Sequence, residues 1–357
     1  MRAAVFHKGE FTVETLPDPS PGRGQVLVRP LVCGICGSDL HTRHHAHGLA
    51  ELLHRAGFRD FMNPDLPVVM GHEFVCEVIG YGAECERKFA IGERVVGLPF
   101  AAGANGVELL GYSNNMNGAF AEAMVLQESA MFAVPDFVPT DVAALTEPLS
   151  VAVHAVNAAQ AGPDCAFAVY GCGPVGLFVI ARLKHLGLGP VLAIDPDPAR
   201  RDFAERLGAD VVIAPSGEAT ARYWEGQGAP IAMSDASAAA AAGKKGKRPV
   251  IFECVGKPGL IRSICEQVPV GASVVVVGMC MEPDAFEPAL MVQKEITARF
   301  VYAYNASEFA EATQMIAATP DRLAPLVTGH ATIDTVVDAF IALEKGGSQA
   351  KVLVSPF

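Results

Sequence analysis

Two short runs carry the residue types that metal and proton chemistry need. Cys36-Gly-Ser38-Asp39-Leu-His41 offers a thiol, a hydroxyl, a carboxyl and an imidazole, and Gly71-His72-Glu73 adds a second imidazole and carboxyl. A borderline-soft ion such as Zn²⁺ takes thiolate, imidazole and carboxylate ligands, and a catalytic site keeps one position open to water or substrate. Cys36, His72 and one glutamate meet that description; the alternative for any one of them is structural, a buried free thiol or a hydrogen-bonded histidine. A third run, Gly171-Cys-Gly173-Pro174-Val175-Gly176, follows an apolar stretch and opens a helical one, with Asp195 nineteen residues beyond Gly176. Gly171 permits the tight turn, Gly173 lets the backbone approach a pyrophosphate, Gly176 lets helix and strand pack closely, and the helix N-terminus supplies N–H groups and positive dipole. The Asp195 carboxylate accepts hydrogen bonds from ribose hydroxyls and repels a 2′-phosphate, which favours NAD over NADP. Arg200 and Arg201 keep NADP open, because an arginine beside this position accommodates the extra phosphate.

The elements that must hold these groups change character along the chain. Up to about residue 135, β-rich pieces such as Gln25-Val-Leu-Val-Arg-Pro, Phe74-Val-Cys-Glu-Val-Ile-Gly and Ala121-Glu-Ala-Met-Val-Leu alternate with Gly and Pro, which predicts an antiparallel or barrel-like β domain. From about 140, a helical stretch (141–161) leads into alternating units: strands at 166–170, 191–194 and 211–213, helices at 174–186 and 198–207. That alternation predicts a parallel, doubly wound α/β sheet. Further strands are expected at 250–253 and 273–277, and the low-complexity run 234–248 reads as a surface loop or frayed helix. Beyond 298 the chain is expected to rejoin the first domain, with helices at 308–317 and 335–344 and a last strand at 350–355. The expected domains are therefore 1–155 with 298–357, and 156–297.

Composition narrows the partners. An excess of 39 acidic over 27 basic residues argues against nucleic-acid or anionic-membrane surfaces and for a small-molecule ligand. The nine cysteines form no paired extracellular framework. With no apolar run suited to a signal peptide or a membrane span, a soluble, cytoplasmic protein is expected.

The run Cys33-Gly-Ile-Cys36-Gly-Ser38-Asp39-Leu-His41, then Gly71-His72-Glu73, Thr146-Glu147-Pro148-Leu149-Ser150, the glycine turn and a closing Lys351-Val-Leu-Val together resemble, in order and over essentially the whole chain, the zinc-dependent medium-chain alcohol dehydrogenases. The likeness is greatest to the sorbitol and threonine dehydrogenase branch. It implies a GroES-like β-rich catalytic domain and a Rossmann cofactor domain, with hydride exchanged between an alcohol or ketone and NAD. It further implies Cys36 and His72 as zinc ligands and Glu147 as the third protein group near the metal, with Glu73 either ligating or helping ligand exchange. Asp39 is implied to orient His72, and Ser38 to take the substrate proton and pass it through the ribose to His41 and solvent. Cofactor contacts are implied at Cys254, Val255, Val277, Gly278 and Met279, and at Lys351 through a phosphate. A homodimer or homotetramer formed through the edge of the cofactor sheet is also implied.

Three departures qualify the likeness. The stretch 97–118 lacks the four cysteines of the family's structural zinc lobe, which predicts one zinc per chain. Between His41 and Gly71 the chain is long and carries His44, His45, His47 and His54, read either as a second metal site or as solvated histidines flanking a short helix (44–60) that covers the substrate. Phe300-Val301-Tyr302 lacks the arginine of the polyol branch, and Phe100, Leu109, Leu110, Tyr112, Met116 and Phe120 are apolar, which together predict a secondary or aromatic/aliphatic alcohol with a hydrophobic body. The competing readings are a polyol dehydrogenase, a metal-independent quinone or enoyl reductase, and a non-enzymatic binding role.

Overall fold

The computed structural model describes residues 1–357 apart from 59–60, 104–105 and 346–348, and it divides into two units: Met1–Pro148 with Ala306–Phe357, and Leu149–Asn305. In the first, Gln25–Gly34 runs through a seven-stranded sheet. It pairs antiparallel with Glu73–Tyr81 on one edge, and with Met124–Gln127 and the end of Lys351–Ser355 on the other. Pro30 has no N–H to give a ladder, and the register with Glu73–Tyr81 slips between Pro30 and Val32. Arg94–Gly97, Met131–Ala133 and Val327–Thr332 complete the sheet. Helix Gly37–Arg55 leaves it directly after Cys36 and kinks at His45, whose φ is −133° and ψ 29°. Phe340, on helix Val336–Glu344, is fully buried between the rings of Phe11 and Phe120.

The second unit is built on six parallel strands in the order Val211–Ile213, Val191–Ile194, Cys165–Tyr170, Arg248–Glu253, Ser273–Val276, Thr297–Phe300. Every residue of Cys165–Tyr170 is buried, as a strand covered on both faces requires. Strand order reverses between Cys165–Tyr170 and Arg248–Glu253, the position at which doubly wound sheets bind ligands. Trp224, the only tryptophan, is fully buried in this unit on helix Gly217–Gly226, edge-on to Tyr223.

The unit boundaries fall at Pro148/Leu149 and Asn305/Ala306 rather than at 155/156 and 297/298. Thr297–Phe300 is the sixth parallel strand, and all four of its residues are exposed, so it lacks the apolar run that marks a buried strand. The stretch 141–161 is not one helix but two, Thr140–Ala143 and Thr146–Ala158, with Thr146 Oγ1 donating to Ala143 O (2.8 Å) at the break. Met233–Ala241, inside the low-complexity run, is a helix that buries no residue. Among the described residues no helix is long and apolar enough to cross a membrane.

Candidate active site

The donor cluster is assembled by two neighbouring strands. Gln25–Gly34 delivers Cys36 to the N-terminus of helix Gly37–Arg55, where Asp39 Oδ2 accepts the Cys36 N–H (3.0 Å), half of a capping box. The register sets Glu73 opposite Gly34 and so brings His72 beside Cys36. Gly71 makes the approach possible: its φ is +99°, and a Cβ there would stand 3.0 Å from Cys33 Sγ and 2.8 Å from the Phe120 ring. Ligand atoms of Cys36, His72 and Glu73 all lie within 4.8 Å of one another, the one group of three or more His, Cys, Asp or Glu so gathered among the described residues.

Buried charge surrounds this cluster. Burial pushes the Asp39 carboxyl up against the opposing pull of His72, the Cys36 N–H and Tyr112. Burial pulls His72 down, but Asp39, Cys36 and Glu147 carry it well above the usual histidine value. His72 Nδ1 faces Asp39 Oδ1 at 3.5 Å and has no hydrogen-bond partner. Glu147, half-buried in the first turn of Thr146–Ala158, stands outside the three-residue cluster, yet its charge acts on both His72 and Lys351.

Lys351 requires a correction. All three of its hydrogens are committed within the first unit, to Glu73 Oε1 (2.8 Å), Glu73 Oε2 (2.7 Å) and Ile35 O (3.1 Å), which leaves none for a cofactor phosphate. The residue is 2% exposed. A charged side chain inside the apolar run Ala350-Lys-Val-Leu-Val was the available signal, since lysine is almost never buried unpaired.

Ser38 is half-buried, and Tyr112 joins it to Asp39: the Tyr112 hydroxyl lies 2.9 Å from Ser38 Oγ and 2.8 Å from Asp39 Oδ1. The Tyr112 ring stacks on Phe61 with centroids 5.4 Å apart, and its centroid is 5.2 Å from that of His72. Sequence reading counted Tyr112 only as an apolar lobe residue. His41 is exposed near the start of the same helix, with its pKa lowered by partial burial and by His45 and His44. The histidines beyond it go separate ways, His44 to Glu344 (2.7 Å) beside Arg43, and His47 toward Asp65 (3.7 Å). They lie on helix Gly37–Arg55 and form no second donor cluster among the described residues; the last two residues of the 44–60 segment lie outside the described residues.

In the second unit the glycine turn has the expected local form. Gly171 has φ +92°, and a Cβ there would meet Val255 Cγ2 at 2.5 Å. A Cβ on Gly176 would strike Gly171 O, whereas Gly173 faces open space. Pro174 is the first residue of helix Pro174–His185, and no side chain caps its N-terminus, so the first-turn amides of Val175 and Gly176 are those an anion would meet. Asp195 is 2% exposed and accepts from the N–H groups of Cys172 (2.7 Å) and Asp197 (2.8 Å). Arg201 donates to the carbonyls of Asp195 (2.7 Å) and Pro196 (2.8 Å), while Arg200 is half-buried.

Glu253, which sequence reading missed, locks the two later loops together. Its carboxylate accepts from the N–H groups of Val255 and Gly256, and its carbonyl from those of Val277 and Gly278. A Cβ on Gly256 would meet the Met279 backbone at 2.7 Å, so Cys254, Val255, Val277, Gly278 and Met279 form one interlocked edge.

The lobe 97–118, whose residues 104–105 lie outside the described ones, contains a hairpin, Phe100–Ala102 with Val107–Leu109, and a polar knot. Buried Glu108 accepts from Ser113 Oγ and from Asn115 Nδ2 (3.3 Å to each oxygen). Of the apolar lobe residues, Leu110 and Phe120 are fully buried and Tyr112 is bound to Ser38 and Asp39, whereas Phe100, Leu109 and Met116 are half-buried.

Comparison with known proteins gives two family matches. Residues 22–136 match the alcohol dehydrogenase GroES-like domain, and residues 174–318 match the zinc-binding dehydrogenase family. The chain is 30% identical to (R,R)-butanediol dehydrogenase of Bacillus subtilis (strain 168), with 100% of both chains covered. It is 27% identical to L-threonine 3-dehydrogenase of Saccharopolyspora erythraea, over 93% of this chain and 92% of that one. The crystal structure of 2R,3R-butanediol dehydrogenase from Bacillus subtilis superposes with a TM-score of 0.81 at 29% identity, covering 100% of this chain and 99% of the other.

Proposed function

The chain belongs to the zinc-binding medium-chain dehydrogenases and is a zinc-dependent, NAD-linked oxidoreductase of alcohols or polyols, and from that premise we propose that it exchanges hydride between a secondary alcohol and NAD, with one zinc per chain. The observation that carries the reading is the Cys36 thiol and the His72 imidazole, donors suited to zinc, brought together beside the Glu73 carboxyl within 4.8 Å, with the charge of Glu147 acting on His72. We assign Cys36, His72 and Glu147 as ligands. Both oxygens of Glu73 are held by Lys351, whereas the charge of Glu147 acts on His72 and Lys351 together. Asp39 holds the His72 ring from the Nδ1 side. The polar knot at Glu108 gives the lobe internal cohesion of its own, which supports a single zinc.

Bound zinc supplies the Lewis acidity that draws an alcohol pKa toward neutrality, and bound nicotinamide accepts the hydride. Ser38 would take the hydroxyl proton, and His41, on the same helix and exposed, would hand it to solvent. With a lowered pKa, His41 is neutral at pH 7 and able to receive it. A bound dinucleotide would be held by the amides behind Gly173 at its pyrophosphate and by Asp195 at its ribose. Arg201 is tied to backbone carbonyls, which supports NAD over NADP.

The butanediol and threonine relatives carry, by their names, substrates with a secondary hydroxyl. Val301, at the position of the polyol branch's arginine, supports a substrate with few further hydroxyls. The exposed edge strand Thr297–Phe300, with Phe300 65% and Tyr302 60% exposed, supports a homo-oligomer joined through the cofactor sheet.

The test is turnover of 2,3-butanediol, L-threonine, sorbitol and a bulky apolar alcohol with NAD and NADP, with and without chelator. A secondary alcohol is expected to reduce NAD, with activity lost on chelation and regained with zinc. Chelator-insensitive turnover defeats the zinc assignment, and a clear preference for sorbitol defeats the substrate assignment.

A further inference from the structure

The Tyr112 hydroxyl touches two groups on which the proposed chemistry depends. Asp39 is an acceptor on both oxygens: Oδ2 takes the Cys36 N–H at 3.0 Å, and Oδ1, which faces the His72 imidazole at 3.5 Å, is a carboxylate oxygen with no hydrogen of its own to give. The single Tyr112 proton therefore goes to Asp39 Oδ1 at 2.8 Å, and a lone pair on Tyr112 Oη is left facing Ser38 Oγ at 2.9 Å. Of these two hydroxyls, only Ser38 still has a hydrogen to place in that gap. We propose that Tyr112 is a positioning residue: in the resting site its hydroxyl holds the Ser38 hydrogen and so turns the lone pairs of Ser38 Oγ outward to receive the hydroxyl of an alcohol, and as that proton arrives Ser38 releases its own hydrogen from Tyr112 toward His41 and solvent, gaining one proton and losing one.

The phenol is fixed on every side. Its ring stacks on Phe61 and leans on His72, its carbonyl accepts from Met62 N (2.9 Å), its N–H donates to Leu109 O (3.0 Å), and the next residue, Ser113, is tied to Glu108. The lobe without cysteines thereby becomes the support of the relay serine. The consequence for catalysis rests on the dehydrogenase reading, but the hydrogen-bond direction does not, and the two are tested separately.

In metal-free protein, the Raman Fermi doublet of Tyr112 isolates the direction. It is obtained from the wild type minus Tyr112→Phe difference, and independently from wild type minus Ser38→Ala, because five other tyrosines contribute a constant background. The expected signature is a hydroxyl that both donates and accepts, becoming donor-only in Ser38→Ala. A donor-only doublet in the wild type overturns the proposal, whether or not any alcohol is turned over. In the zinc-loaded enzyme, Tyr112→Phe is expected to lower kcat about tenfold, as the loss of roughly one hydrogen bond predicts, with KM for NAD and zinc content unchanged. In the Ser38→Ala background the same substitution is expected to have no further effect, and in Ser38→Thr its effect is expected to return. Full additivity of Tyr112→Phe and Ser38→Ala in kcat also overturns the proposal.

Discussion

Lys351 and Glu73 form a buried pair in which each charge depends on the other. Replacing one member of such a pair strands the second, so Lys351→Met is expected to destabilise the protein by about 3 kcal/mol in urea unfolding, with a Lys351→Met/Glu73→Gln double variant recovering part of the loss. Burial lowers the lysine pKa, but Glu73, Cys36 and Glu147 raise it further, to a net position above the ordinary 10.5. A raised cation stabilises the fold fully below that ordinary value and loses its contribution as pH climbs through the folded one. Stability from this pair is therefore expected to be flat from neutrality to about pH 10 and to fall only beyond it. Asp195 acts in the other unit: Asp195→Ala frees the Cys172 and Asp197 amides and is expected to raise KM for NAD about tenfold while narrowing the preference over NADP, as steady-state kinetics with both cofactors would measure. Cys36, His72 and Glu73 were legible in the sequence because their types name their chemistry. The role of Tyr112 was not, because its partners lie far away in the chain, and for Lys351 the apolar run signalled burial but not the partner, Glu73 lying 278 residues from it.

At the scale of elements, patterning found the buried strands of the parallel sheet and the partly exposed Val211–Ile213, and lost the fully exposed Thr297–Phe300. Cys165–Tyr170 and Val191–Ile194 announce themselves by apolar runs, whereas Thr297–Phe300 has its sheet neighbour on one side and solvent around its side chains. The histidine-rich segment was hard to place for a related reason. It continues helix Gly37–Arg55 past a kink, and of that helix only Asp39, Thr42, Leu49 and Ala50 are buried, too thin an apolar stripe to read as a helix from sequence. The lobe allows a sharper test. Glu108→Leu removes the acceptor of Ser113 and Asn115 and is expected to cost about 2 kcal/mol, while the zinc content of the purified protein stays the same. A drop in bound zinc in that variant would show that the lobe holds metal after all.

For the molecule as a whole, the proposed association rests on the edge strand. Thr297 and Val301 donate their N–H groups inward, to Ala272 O and Val276 O, so the strand's alternation turns the Ala298 N–H outward. Ala298→Pro should leave the inner ladder intact and block pairing with a second copy, shifting the protein to monomer in size-exclusion chromatography with light scattering. Trp224 offers a different use of the architecture. As the sole indole, sealed inside the Leu149–Asn305 unit, it makes intrinsic emission a reporter on that half alone. A denaturation curve followed at its wavelength, set beside one followed by zinc release, would separate the melting of the nucleotide half from that of the metal half without any label.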